Sequence, residues 1–171
     1  AIYFPQNKDL VELRPVVERT LIELGRPLDL VLRNTSESTE AEVADFNRLN
    51  DPNARHRVIL LVNKGTEGWD CPSLFACALA RELKHSQNFV LQASTRCLRQ
   101  IPGNAHPARI YLSSENRGAL DQQLQAAFSG GKDAAQVADA RVGIDPASIV
   151  LQAARDMAGR GGVTLIVGLL L

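Results

Sequence analysis

Five consecutive apolar residues, Val58-Ile59-Leu60-Leu61-Val62, stand between Arg57 and the polar, glycine-bearing stretch Asn63-Lys64-Gly65. A strand with one wet face alternates apolar and polar side chains. A short unbroken run therefore predicts a strand covered on both faces, as in a parallel sheet. Parallel strands need long crossovers, and the flanking sequence supplies them. Ile2–Phe4 reads as a first strand, followed by a loop at Pro5-Gln6-Asn7. A helix then carries Leu10, Leu13, Val17, Leu21 and Leu24 and stops at Gly25. Pro15 either begins that helix proper or kinks it.

Residues 28–32 read as a second short strand. Thr39 with Glu42 three positions on forms a capping box, and Val43, Phe46 and Leu49 are the buried side of the helix it starts. After the turn at Asp51-Pro52-Asn53 comes the Val58–Val62 strand, then apolar stretches at 74–79 and 108–112 that read as two more. Strand and helix alternating over short loops predict an α/β fold, doubly wound around a mainly parallel sheet, over residues 1–113. Residues 114–171 change character. Leu120, Leu124, Ala127 and Phe128 form one helical pattern, and Asp145-Pro146 caps another with Ile149, Val150, Ala153 and Met157 inside. The expectation is a helical, alanine-rich C-terminal extension, either packed on the first unit or truncated.

Two polar clusters interrupt this scaffold. One is the loop Gly65-Thr66-Glu67-Gly68-Trp69-Asp70-Cys71-Pro72, which would leave the carboxyl end of a parallel strand, the edge at which open α/β sheets bind ligands. The other is Gln92-x-x-x-Arg96-x-x-Arg99. On a helix over 86–100, at about 100° per residue, Arg96 falls roughly 40° and Arg99 roughly 20° from Gln92. Val90, Leu91, Cys97 and Leu98 fall opposite. Such a stripe is also what any amphipathic surface helix presents to water.

In this order, the two clusters resemble motifs V and VI of superfamily 2 helicases. Glu67-Gly68-Trp69-Asp70-Cys71-Pro72 is similar to the E-G-x-D-x-P form found in type III restriction helicase subunits and excision-repair helicases. Gln92-x-x-x-Arg96-x-x-Arg99 is similar to Q-x-x-G-R-x-x-R, with Thr95 where the family has glycine. The resemblance covers residues 1–113 and implies the second, RecA-like motor domain, with the first strand carrying motif IV. It assigns catalytic roles to Arg96 and Arg99 as arginine fingers and to Gln92 at the γ-phosphate. Gly68, Asp70 and Glu67 fall near the nucleotide: Gly68 by backbone approach, Asp70 as an acceptor, Glu67 as a brace of the loop. Thr35, Ser36, Gly65 and Thr66 take the positions that touch nucleic-acid phosphates.

The chemistry suits those residue types. Arginine stays charged and binds two oxygens at once, and a finger of this kind is worth about 10³ to 10⁵ in rate in other nucleotide hydrolases. Yet no G-x-x-x-x-G-K-[ST] loop is present. Gly130-Gly131-Lys132-Asp133 lacks both spacing and hydroxyl, and there is no acidic box for magnesium. ATP and Mg²⁺ would thus be held mainly by a first RecA-like domain of the same parent chain. The other implied partners are DNA and, in a type III restriction enzyme, a methyltransferase subunit. No P-D then E-x-K nuclease pattern occurs. The chain opens without Met on strand-like residues and stops within an apolar run, as expected of a fragment.

Bulk properties narrow the alternatives. Nineteen basic and nineteen acidic residues balance to a formal charge of +0, whereas a stand-alone nucleic-acid binder usually carries a basic excess. Cys71, Cys77 and Cys97 show no metal spacing and are odd in number, so they read as free thiols of a cytoplasmic protein with no metal site. The apolar run at 163–171 is too short to span a bilayer. Trp69 is read as packing beneath its loop rather than stacking on a base, and Thr35 and Ser36 serve equally well as ordinary turn residues. The competing class is a non-enzymatic α/β binding or interaction domain whose arginines are merely solvated.

Overall fold

A computed structural model describes residues 1–65, 68–80, 92–93, 96–98, 109–112, 116, 118, 122, 139–142, 147, 150–151 and 153–155. Within them lie six strands and two regular α-helices: β1 (Ile2–Phe4), α1 (Asn7–Glu23), β2 (Val31–Asn34), α2 (Glu40–Asn47), β3 (Val58–Val62), β4 (Ala76–Leu79), β5 (Arg109–Leu112) and β6 (Asp139–Val142). The strands form one sheet in the order β2-β3-β1-β4-β5-β6. Every pairing is parallel. The α/β class and the parallel sheet follow the expectation from the Val58–Val62 run, all five of whose residues are buried.

The sheet centre explains those apolar runs. Ile2 pairs in register with Leu60 on one side and Ala78 on the other, so β1 and its neighbours have no wet face. The small residues of β4, Ala76, Cys77 and Ala78, are entirely buried, which lets covering elements approach closely. The connection leaving β1 runs outward to β2, whereas that leaving β3 runs the other way, across β1 to β4. Crossovers of the usual right hand would put these two connections on opposite faces, which makes the carboxyl ends of β1 and β3 the point where sheets of this kind bind ligands.

Helix α1 is continuous through Pro15. The proline lies on the outer side with Val11, 64% exposed, so water can replace the lost bond to that carbonyl. Leu10, Val17, Thr20 and Leu21 make the inner side. At its end Gly25 adopts φ 64°, and the Arg26 N–H donates to the Leu21 carbonyl at 2.8 Å, a Schellman closure that needs a left-handed residue. Helix α2 starts with the expected capping box: the Thr39 hydroxyl accepts from the Glu42 N–H, and the Glu42 carboxylate accepts from the Thr39 N–H at 2.7 Å.

Three expectations are corrected. Residues 28–30 form a 3₁₀ turn behind Pro27, and the strand starts only at Val31 and reaches Asn34. Val43 is 38% exposed, while Phe46 and Leu49 are buried; α2 is only eight residues long and buries Phe46 alone, Leu49 lying beyond its end. The 114–171 extension is not wholly helical, since Asp139–Val142 joins the sheet as β6, parallel to β5. An open strand edge offers unpaired backbone groups, and that edge, not the side chains of Asp139-Ala-Arg-Val, favours the strand. Of the helices expected there, Val150, Ala153 and Ala154 are helical and buried. Arg155 lies 3.9 Å from Glu23 at the end of α1. Among the described residues no helix is long and apolar enough to cross a membrane.

Candidate functional site

Because all strands run the same way, the loops after β1, β2 and β3 share one edge, and side chains tie them together. Asn7, the first residue of α1, donates through Nδ2 to the Glu37 carboxylate at 2.6 Å and to the Ser36 hydroxyl at 3.4 Å. Thr35 is buried, its Oγ1 accepting from the Glu37 N–H and its own N–H donating to the Ser38 hydroxyl, each at 3.0 Å. Thr35 thus builds the turn, and Ser36 is the exposed member of the pair.

The loop after β3 is held from three sides. The Tyr3 phenol donates to the Gly65 carbonyl at 3.2 Å from beneath. Burial pushes that phenol well above its ordinary pKa, Cys77 adding to the effect and Arg96 opposing it, so it remains a donor. Gly65 has φ 71°, and a Cβ there would lie 2.8 Å from Cε3 of Trp69, so backbone and indole fit together only without a side chain. The indole in turn stacks on Phe46 of α2. Farther on, Asn50 Nδ2 donates to the Asp70 carbonyl at 2.8 Å. Trp69 is a packing residue, as expected.

Gly68 has φ 66° with open space where a Cβ would stand, and both Gly68 and Asp70 are exposed. Arg96, half-buried, donates through Nη1 to the Trp69 carbonyl. The structure therefore joins the first cluster to the second at Trp69 and Arg96. Gln92 is helical and exposed, and Ala93 behind it is buried, its carbonyl accepting from the Cys77 thiol at 2.7 Å. Residues 96–98 form a 3₁₀ turn where the spacing predicts a continuing α-helix, which alters the angular arithmetic for Arg96. Cys97 is buried, as expected of the inner side, and burial raises its thiol pKa well above the ordinary value. Thr66, Glu67 and Arg99 lie outside the described residues.

Cys71, Cys77 and Cys97 are all buried. No cluster of metal-ligating side chains occurs among the described residues. Sequence reasoning missed Tyr3, Asn7, Phe46 and Asn50 as the residues that hold the loops. Tyr3 carried a usable signal, because a phenol in a strand covered on both faces must find a partner for its hydroxyl. The other three carried none, since their roles come from neighbours distant in the chain. No family model matches this sequence, and neither the curated proteins nor the solved structures include a match to it.

Proposed function

We propose that this chain is the second, RecA-like motor domain of an ATP-dependent superfamily 2 DNA helicase or translocase, related to the helicase subunit of type III restriction enzymes. The observation that carries the reading is the hydrogen bond from Arg96 to the carbonyl of Trp69. It joins the loop similar to motif V with the turn similar to motif VI, at the carboxyl edge where parallel sheets bind ligands. Each motif is weak alone, and their meeting in space is what a shared nucleotide site requires.

The residues fit one half of such a site. Gly68 leaves room for close backbone approach, and Asp70 and Gln92 are exposed, not enclosed, as befits a surface completed by another domain. ATP with Mg²⁺, held mainly by the first RecA-like domain, supplies the phosphoryl group. Arg96 exchanges the Trp69 carbonyl for a phosphate oxygen when the domains close, and Arg99 joins it. Their fixed charge meets the charge gathering on the transferring phosphate. Gln92 orients the group at the γ-phosphate, and Asp70 accepts from the ribose or an ordered water, with Glu67 bracing the loop. Ser36, on the turn that Thr35 builds, and Gly65 and Thr66, in the connection after β3, face DNA phosphates. The parent is a cytoplasmic hydrolase, with a methyltransferase subunit as a further partner.

One observation favours a second reading. Arg96 already has a structural partner in the Trp69 carbonyl, as it would in a non-enzymatic α/β interaction domain. Steady-state phosphate release separates the two. The isolated chain should hydrolyse no ATP. Joined to its phosphate-loop domain, Arg96→Ala or Arg99→Ala should remove most turnover while ATP binding persists. Turnover within about twofold of wild type for both folded variants, where a finger is worth about 10³ or more, would mean that neither arginine is a finger.

A further inference from the structure

Behind residues 71–75, at the edge of the sheet opposite the carboxyl ends, lies a slot that the proposed motor reaction does not use. Its floor is Leu49 after α2, Ile59 in β3, and Leu74 and Phe75 ahead of β4, all of them buried. Its volume is about 240 Å³. An apolar cavity of about 150 Å³ holds benzene, so this slot has room for an aromatic body larger than one ring. The walls are pinned together without a ligand. The Ser73 hydroxyl donates to the Leu49 carbonyl at 3.3 Å, and Asn50 bridges to the Asp70 carbonyl at 2.8 Å.

Asp51 and His56 border both this slot and a more polar hollow of about 250 Å³, which Arg48 and Arg55 also line. The carboxylates there are engaged within the fold. Asp51 Oδ1 accepts from the Asn53 N–H at 2.8 Å, and Asp45 Oδ2 faces His56 Nε2 at 3.3 Å. Arg57, on the slot side, places Nη1 on the carbonyls of Ala54 and His56, which satisfies donors but leaves its charge unneutralised. Arg48, Arg55 and Arg57 thus outweigh Asp45 and Asp51, and the excess favours an anion over a neutral or cationic guest.

We propose that the two hollows form one binding site for a small aromatic carboxylate, its ring on the floor of Leu49, Ile59, Leu74 and Phe75 and its carboxylate toward Arg48 and Arg55. The inference is independent of the motor reading. A guest here braces residues 71–75 from behind, directly downstream of Gly68 and Asp70.

Titration of the ¹⁵N-labelled chain with 1-naphthylacetate tests it, beside the neutral 1-naphthylacetamide and the cationic 1-naphthylethylamine. Saturable shifts confined to the amides around Leu49, Ile59 and Leu74 are expected, with the carboxylate about fivefold tighter than the amide, the worth of two rim charges. Arg48→Ala with Arg55→Ala, both on exposed residues, should erase that preference and leave ring binding in place. Leu74→Trp, which fills the slot, should abolish all three. No saturable shift at millimolar ligand would overturn the proposal. So would equal binding of carboxylate, amide and amine, or a preference that survives the double arginine variant.

Discussion

Trp69 lies on the ring of Phe46, with centroids 4.8 Å apart and planes inclined by 28°. This contact fastens the connection after β3 to α2. Since the Trp69 carbonyl also accepts from Arg96, the position of the arginine depends on an aromatic pair that plays no part in any chemistry. Aromatic pairs add about 0.5–1.5 kcal/mol beyond the area they bury.

Phe46→Ala should therefore lower stability by about 3 kcal/mol, from lost burial, the cavity left behind and the lost stack. Trp69 is the chain's single tryptophan, so its emission reports the site directly. Urea unfolding followed by that emission should show a lower midpoint and a native baseline shifted to the red. An unchanged native spectrum would mean that the stack does not hold the indole.

Gly65 and Gly68 both have positive φ, but only Gly65 has Trp69 where a Cβ would stand. Gly68→Ala should cost about 1 kcal/mol for the left-handed backbone alone. Gly65→Ala pays that and displaces the indole as well. Paired denaturation curves should rank Gly65→Ala clearly below Gly68→Ala, and equal losses would refute the steric argument.

The Glu42 carboxyl is pushed up by burial, but the Arg33 guanidinium at 2.6 Å, the Thr39 N–H and the Thr39 hydroxyl together hold it below its ordinary value. A group depressed in the fold is protonated first in the unfolded chain. Its stabilisation is complete above the ordinary carboxylate range and is lost as pH falls through the lower, folded value. Stability measured against pH should thus decline on acidification through that window, and Glu42→Gln should flatten the decline. Thr39→Ala should in addition cost about 1 kcal/mol at neutral pH through the lost cap.

On the proposed motor reading, with the chain joined to a phosphate-loop domain, Thr66→Ala should keep basal ATP hydrolysis but blunt its stimulation by DNA, whereas Asp70→Ala should depress both. Lost phosphate contacts should also make the salt dependence of DNA binding shallower. ATPase rate against DNA concentration at two salt levels decides this. A wild-type stimulation curve for Thr66→Ala at both salts would show that the loop does not sense DNA there.

The sequence by itself determined what depends on near neighbours. The unbroken apolar run at Val58–Val62, the Thr39 and Glu42 capping box and the Gly25 stop each follow from periodicity or local backbone chemistry, and all three are present as read. The tertiary structure alone decided what depends on partners far along the chain. Strand β1 lies between β3 and β4 because ladder bonds form wherever matching edges meet. By the same means Asp139–Val142, with little strand propensity, was recruited to the edge of β5. Val43 is exposed and Phe46 is the one buried residue of the eight-residue α2, which the helix's own spacing does not encode. The meeting of Arg96 with Trp69, and of Tyr3 with Gly65, has the same origin. Periodicity says which side of an element is buried, whereas only the packed sheet decides what it is buried against.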